Sequence, residues 1–135
     1  MTDTAADRLS TRGGKFDVVV IGGAAAGLSG ALSLVRARRT VLVVDAGDPR
    51  NAPAAHVHNY LGREGATPGE LYGVGRDEVQ SYGGTVRTGR VQTVARDGDG
   101  GFMVQLEGGE QVYARRVLAA SGVRDMLPAV PGIPE

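Results

Sequence analysis

The chain has 135 residues, enough for one compact domain, and 41% of them are hydrophobic, which sets it among globular rather than disordered chains. Fifteen basic and fifteen acidic side chains cancel, so no charge excess points to nucleic acid as a partner. Without cysteine the segment has no disulfide, thiolate nucleophile or zinc–thiolate site of its own, and 22 glycines against 4% aromatics point to tight turns and close backbone approaches.

In chain order, Met1–Lys15 is polar, lacks the apolar stretch of a secretory signal, and reads as a mobile lead-in to a cytoplasmic protein. Phe16–Ile21 is a short run rich in β-branched residues, the mark of a buried parallel strand, and it stops at Gly22. From Ala25 to Arg39 the pattern changes to helix, with Leu28, Ala31, Leu32 and Val35 on one face. Arg36, Arg38 and Arg39 close it as a solvated end that complements the helix dipole. Val41–Val44 is a second buried strand, ending at Asp45. Two apolar strands joined by a helix predict a right-handed βαβ unit in a parallel sheet. The charge-free run Val18–Val35 has the length of a membrane span, and Gly23 and Gly27 make a GxxxG pair within it. A buried strand running into a buried helix gives the same string, and the glycines lower its hydropathy, so no membrane partner is expected.

Ala46–Pro68 reads as a long loop, and loops of this length inside a compact domain are usually functional. His56 and His58 lie in it without a third ligand at recognisable spacing, so no metal site is expected. A helix follows from Pro68 to Tyr82, with Leu71, Val74 and Val79 inward. Thr85–Ala95, Phe102–Leu106 and Gln111–Ala114 read as three strands of a small antiparallel meander, with glycine-rich turns at 97–101 and 108–109. Arg116–Ala120 is a buried return strand that ends at Ser121–Gly122, and Pro128–Glu135 reads as a linker. The expected fold is α/β: a Rossmann-like three-layer domain with a parallel sheet, a βαβ unit and an added meander.

Gly22-Gly23-Ala24-Ala25-Ala26-Gly27 stands between the first strand and its helix, the setting of the dinucleotide-binding G-x-G-x-x-G loop. Gly22 makes the turn out of the strand and Gly27 lets the helix pack closely. The middle glycine of the pattern is Ala24, a departure at the position where backbone approaches the pyrophosphate. Free N–H groups and the positive end of the helix dipole favour an anion there. Asp45, eighteen residues after Gly27, supplies a carboxylate for ribose hydroxyls that repels a 2′-phosphate. The pair therefore selects FAD or NAD over NADP at this position.

A meander before the return strand, in place of further β–α units, distinguishes FAD from NAD. Val20-Ile21-Gly22-Gly23-Ala24-Ala25-Ala26-Gly27-Leu28, Val117-Leu118-Ala119-Ala120-Ser121-Gly122 and Pro131-Gly132-Ile133-Pro134 resemble the opening half of thioredoxin reductase-like flavoproteins, within the pyridine nucleotide-disulfide oxidoreductases. The resemblance implies an FAD-binding domain over 16–127, with 128–135 leading toward an NAD(P)H domain outside this chain. It places Gly23–Ala26 along the pyrophosphate, Asp45 on the ribose and the backbone of Val91 at the adenine. Arg50, Asn51 and Asn59 fall near the flavin, with Ser121 and Gly122 flanking the cofactor. Leu61 stands where the family's aromatic-Pro-Gly turn has proline. The resemblance further implies an oxidoreductase passing hydride from NADPH to FAD and on to a disulfide, and a homodimer. Alone, the segment is expected to hold FAD weakly and to turn nothing over. The residues themselves also fit a non-catalytic FAD- or NAD-binding module, or half of an NAD-dependent dehydrogenase.

Overall fold

The computed structural model describes residues 15–132. Residues 1–14 of the expected lead-in and 133–135 of the expected linker lie outside them. Strands β1 (Phe16–Ile21) and β2 (Val41–Asp45) flank helix α1 (Ala25–Arg36). Helix α2 (Pro68–Ser81) and strands β3 (Thr85–Thr88), β4 (Val91–Arg96), β5 (Phe102–Leu106) and β6 (Gln111–Ala119) follow. They form one six-stranded sheet in the order β3-β2-β1-β6-β5-β4. β1 pairs in parallel with β2 on one side and β6 on the other, and β2 pairs in parallel with β3. β5 runs antiparallel to both β6 and β4.

The central strands bury both faces, as their unbroken apolar runs require. Val18, Val20, Val41 and Val43 face the helices and pack with Leu28, Ala31, Val35, Tyr72 and Val79. Val19, Leu42 and Val44 face the other way, in a cluster with Val104, Leu106, Val112 and Ala114 of β5 and β6. Buried residues of β5, two places from β1 in the ladder, thus share this second cluster with β1 and β2.

Two strand boundaries differ from expectation. Thr85–Ala95 is two strands: β3 completes the parallel sheet, and only after Gly89–Arg90 does β4 enter the meander. The break occurs where Gly89 N–H donates to Asp45 O at 2.8 Å, tying the end of β3 to the end of β2. Conversely, Gln111–Ala114 and Arg116–Ala119 belong to one strand, β6, and Ala120 lies just past its end. Its first half pairs with β5 and its second with β1, and Ala114 lies opposite both Phe102 and Phe16. Arg115 and Arg116, both exposed, lie inside a continuous strand and do not break it.

Helix α1 stops at Arg36, three residues early. Arg38 takes a left-handed φ of 60°, and its N–H and that of Arg39 turn back to Val35 and Leu34 carbonyls. Helix α2 buries Pro68, Tyr72 and Val79, with Leu71 packed at the edge of the core and Val74 half-buried. Its N-terminus closes on itself. Thr67 Oγ1 accepts from Glu70 N–H, and Glu70 accepts from Thr67 N–H at 2.8 Å, a capping box. Thr67→Ala should lower stability by about 1 kcal/mol in denaturant unfolding. Those bonds hold the Glu70 carboxyl below its ordinary 4.5, the backbone bond from Thr67 first among them. A depressed carboxyl stabilises the fold above its unfolded value and loses that contribution as pH falls through the folded one. Glu70→Gln should therefore flatten the decline in stability below about pH 4.5 and leave the neutral-pH slope unchanged.

Candidate functional site

The carboxyl ends of all four parallel strands open into one cleft of about 1210 Å³. It is lined by Ile21–Ala26 after β1, Val44–Ala52 after β2, Gly89–Val91 after β3 and Ala120–Arg124 after β6. The chain winds from β1 toward β3 on one side and returns through β6 on the other, so the cleft lies at the switch point where open α/β sheets hold ligands.

The glycine loop has the backbone its spacing demands. Gly22 sits at φ 108°, and a Cβ there would collide with the carbonyl oxygen of Ala120, just past the end of β6. A Cβ on Gly27 would run into the carbonyl oxygen of Gly22, so α1 crosses the loop at backbone contact. A Cβ on Gly23 would fall 2.6 Å from Cβ and Cγ of Asp45, which puts the loop and the carboxylate side by side. Ala24 is the N-cap of α1 at φ −93°, a conformation any residue adopts, and its methyl packs against the helix-side core. Its C=O accepts from Leu28 N–H at 2.9 Å. The departure from glycine is accommodated.

Two helices point their N-termini at this cleft, and they differ. The capping box of α2 satisfies its own donors and adds an acidic residue to the first turn. Helix α1 has no side-chain cap and no acidic residue in its first turn. Its leading N–H groups and dipole are left for an external anion.

Asp45 accepts from Gly47 N–H at 3.0 Å through Oδ1, and Arg76 Nη1 lies 3.9 Å from Oδ2. Arg50 and Asn51 line the cleft, Asn51 Oδ1 receiving the Tyr72 hydroxyl at 2.7 Å. Val91, Ser121 and Gly122 line it as well. Gly27 stands behind the loop, packed on Gly22. Asn59 does not line the cleft. It holds φ 60° in a self-closed loop, with its N–H donated to Glu64 Oε2 at 2.7 Å. His58 Nδ1 lies 2.7 Å from the other oxygen of Glu64, whose carboxyl the His58 contact holds low.

Several lining residues carried no local signal: Tyr72, Arg76, Arg90, Asp48 and Arg124. Together four arginines (50, 76, 90 and 124) and two aspartates (45 and 48) face the cleft, an excess of positive charge suited to a diphosphate. Arg90, first among its neighbours, holds the Asp48 carboxyl below its usual range. No helix among the described residues is long and apolar enough to cross a membrane.

Comparison with known proteins agrees with this geometry. Thioredoxin reductase sirT of Leptosphaeria maculans is 39% identical over 121 residues, covering 87% of this chain and 37% of that protein. The crystal structure of HlmI superposes with a TM-score of 0.83 at 48% identity, over 91% of this chain and 39% of that one. An oxidoreductase from Agrobacterium tumefaciens gives a TM-score of 0.80 at 43% identity, over 88% and 40% respectively. The chain thus spans about a third of the length of the curated relatives it matches. The family model described as pyridine nucleotide-disulphide oxidoreductase matches residues 16–135. With the switch-point cleft, the glycine loop and these likenesses in hand, the chain belongs to the pyridine nucleotide-disulphide oxidoreductase family.

Proposed function

We propose that the cleft binds FAD and that the chain is the FAD-binding part of an NAD(P)H-dependent, thioredoxin reductase-like flavoprotein. One observation carries the reading: the uncapped N-terminus of α1 lies beside the Asp45 carboxylate at the switch point, while the competing N-terminus of α2 is closed by its own capping box.

The residues present fit the cofactor. Amides of Gly23–Ala26 would hold the pyrophosphate, and Asp45, fixed through Oδ1 by Gly47, would offer Oδ2 to the ribose hydroxyls. The backbone of Val91, which lines the cleft, would meet the adenine. Arg50, Asn51, Ser121 and Gly122 form the flavin-side end, with Asn51 oriented by Tyr72. Asn59 stands outside this set. Held there, FAD would supply the redox chemistry: hydride acceptance from NAD(P)H and electron delivery to a disulfide or another acceptor. The role of this chain is to bind, to orient and to set the local field. In the whole protein, NAD(P)H is held by residues other than these.

Titration of the chain with FAD, followed by flavin fluorescence, tests the reading. Saturable binding that ADP competes away and riboflavin does not is the expected result. Failure to bind FAD, with saturable binding of NAD, would move the assignment to a dehydrogenase half. An extended protein that held FAD yet reduced no acceptor with NADPH would leave a non-catalytic binding module.

A further inference from the structure

The charged residues around the cleft are joined across it. Arg50, in the loop after β2, donates from Nε to Asp125 Oδ2 at 2.9 Å and from Nη2 to Oδ1 at 3.0 Å. Asp48, two residues earlier, accepts from Arg124, the neighbour of Asp125, and from Arg90 Nη2 at 3.3 Å. The loop after β2, the turn after β3 and the segment after β6 are therefore tied together by three arginines and two aspartates. Beyond Ala120, whose N–H donates to Ile21 O, the described residues of the last segment make no backbone hydrogen bond to another element. Burial does not hold it either, since Val123, Met126 and Leu127 are exposed. Consecutive residues 124 and 125 instead reach back to 48 and 50.

We propose that Asp48 and Asp125 are positioning residues: by pairing with Arg124 and Arg50 they clasp the segment after β6 to the loop after β2, fixing Arg50, Ser121 and Gly122 at the flavin end of the cleft. The inference rests on the FAD reading for its consequence, though the clasp itself does not need the cofactor. A single exposed ion pair holds little, because water and salt screen it. Two pairs on adjacent residues, one of them bidentate, reinforce each other because each shortens the search of the other.

The test uses the full chain and the Asp48→Asn, Asp125→Asn and combined variants. FAD affinity is compared at about 50 mM and about 1 M salt, where exposed pairs are respectively felt and screened. The combined variant should bind FAD roughly 5- to 20-fold more weakly at low salt, with the gap closing at high salt. Asp125→Glu should stay within roughly two-fold of the unaltered chain, because it restores the bidentate acceptor. Without FAD, trypsin should cut after Arg124 several-fold faster in Asp48→Asn, and salt should bring the unaltered chain to the same rate. Unchanged tryptic rates, unchanged FAD affinity in the combined variant, or a loss equal at both salts would each overturn the clasp. If the unaltered chain takes up no FAD, the FAD reading falls, and the tryptic rates alone decide the clasp.

Discussion

Gly27→Val should destabilise the domain by about 3 kcal/mol or more, lowering Tm by roughly 10 °C or more and abolishing cofactor uptake together with the fold. The expected size comes from what the new side chain meets. A Cβ at Gly27 collides with the backbone carbonyl of Gly22, and Gly22 is itself wedged against the Ala120 carbonyl just past β6. Backbone cannot yield as a flexible side chain does, so helix α1 must lift from β1 or the loop must leave its turn. Either movement opens the helix-side core, where Val20, Leu28 and Ala31 are buried. Gly73→Ala is the control. A Cβ there meets only Arg76 Nη2 at 3.9 Å, in mid-helix, and alanine should stabilise by about 0.5–1 kcal/mol. Thermal unfolding by circular dichroism reads both. Equal Tm values for the two variants would show that the loop is not packed as described.

Asp45→Ala should leave folding near normal and weaken FAD by roughly 10- to 100-fold, the span expected for losing charged hydrogen bonds of about 1.5–3 kcal/mol. Asp45 is at the solvent edge of β2, and its side chain bonds only Gly47 N–H among the described hydrogen bonds, so little of the fold depends on it. ADP affinity should fall by the same factor, because the carboxylate serves the adenosine half. Replacement by Asn should weaken FAD less and lessen the rejection of a 2′-phosphate, read as tighter binding of 2′-phospho-ADP-ribose than in the unaltered chain. Loss of FAD with ADP affinity intact would place the flavin, not the adenosine, at Asp45.

Much of this arrangement was legible because it is local. The β-branched runs at 16–21 and 41–44 carry the pattern of buried strands, and the glycines at 22, 23 and 27 stand where a strand turns into a helix. Asp45 follows from its place at the end of β2. Features set by distant partners were not legible. Nothing within Thr85–Ala95 says that its first half joins β2 and its second half β5. That choice depends on Leu42–Asp45 offering a parallel edge. The double duty of β6 likewise needs β1 and β5 in place. Tyr72 escaped notice because a helix with glycine at 69, 73 and 75 shows a weak apolar face, and only the structure reveals its hydroxyl on Asn51. The Thr67-Pro68-Gly69-Glu70 capping box is a signal that local pattern does carry and that marks the start of α2 more sharply than the proline alone. Arg50–Asp125 and Asp48–Arg124 join residues 75 and 76 apart, beyond any local pattern.

The most direct test is a ¹⁵N-detected NMR titration of the chain with FAD and, separately, with ADP. The amides of Gly23, Ala24, Ala25 and Ala26 should move most, and ADP should reproduce those shifts. The largest shifts at Thr67–Gly69 of α2, or around Arg36–Thr40 at the opposite pole of the sheet, would contradict a diphosphate held at the head of α1.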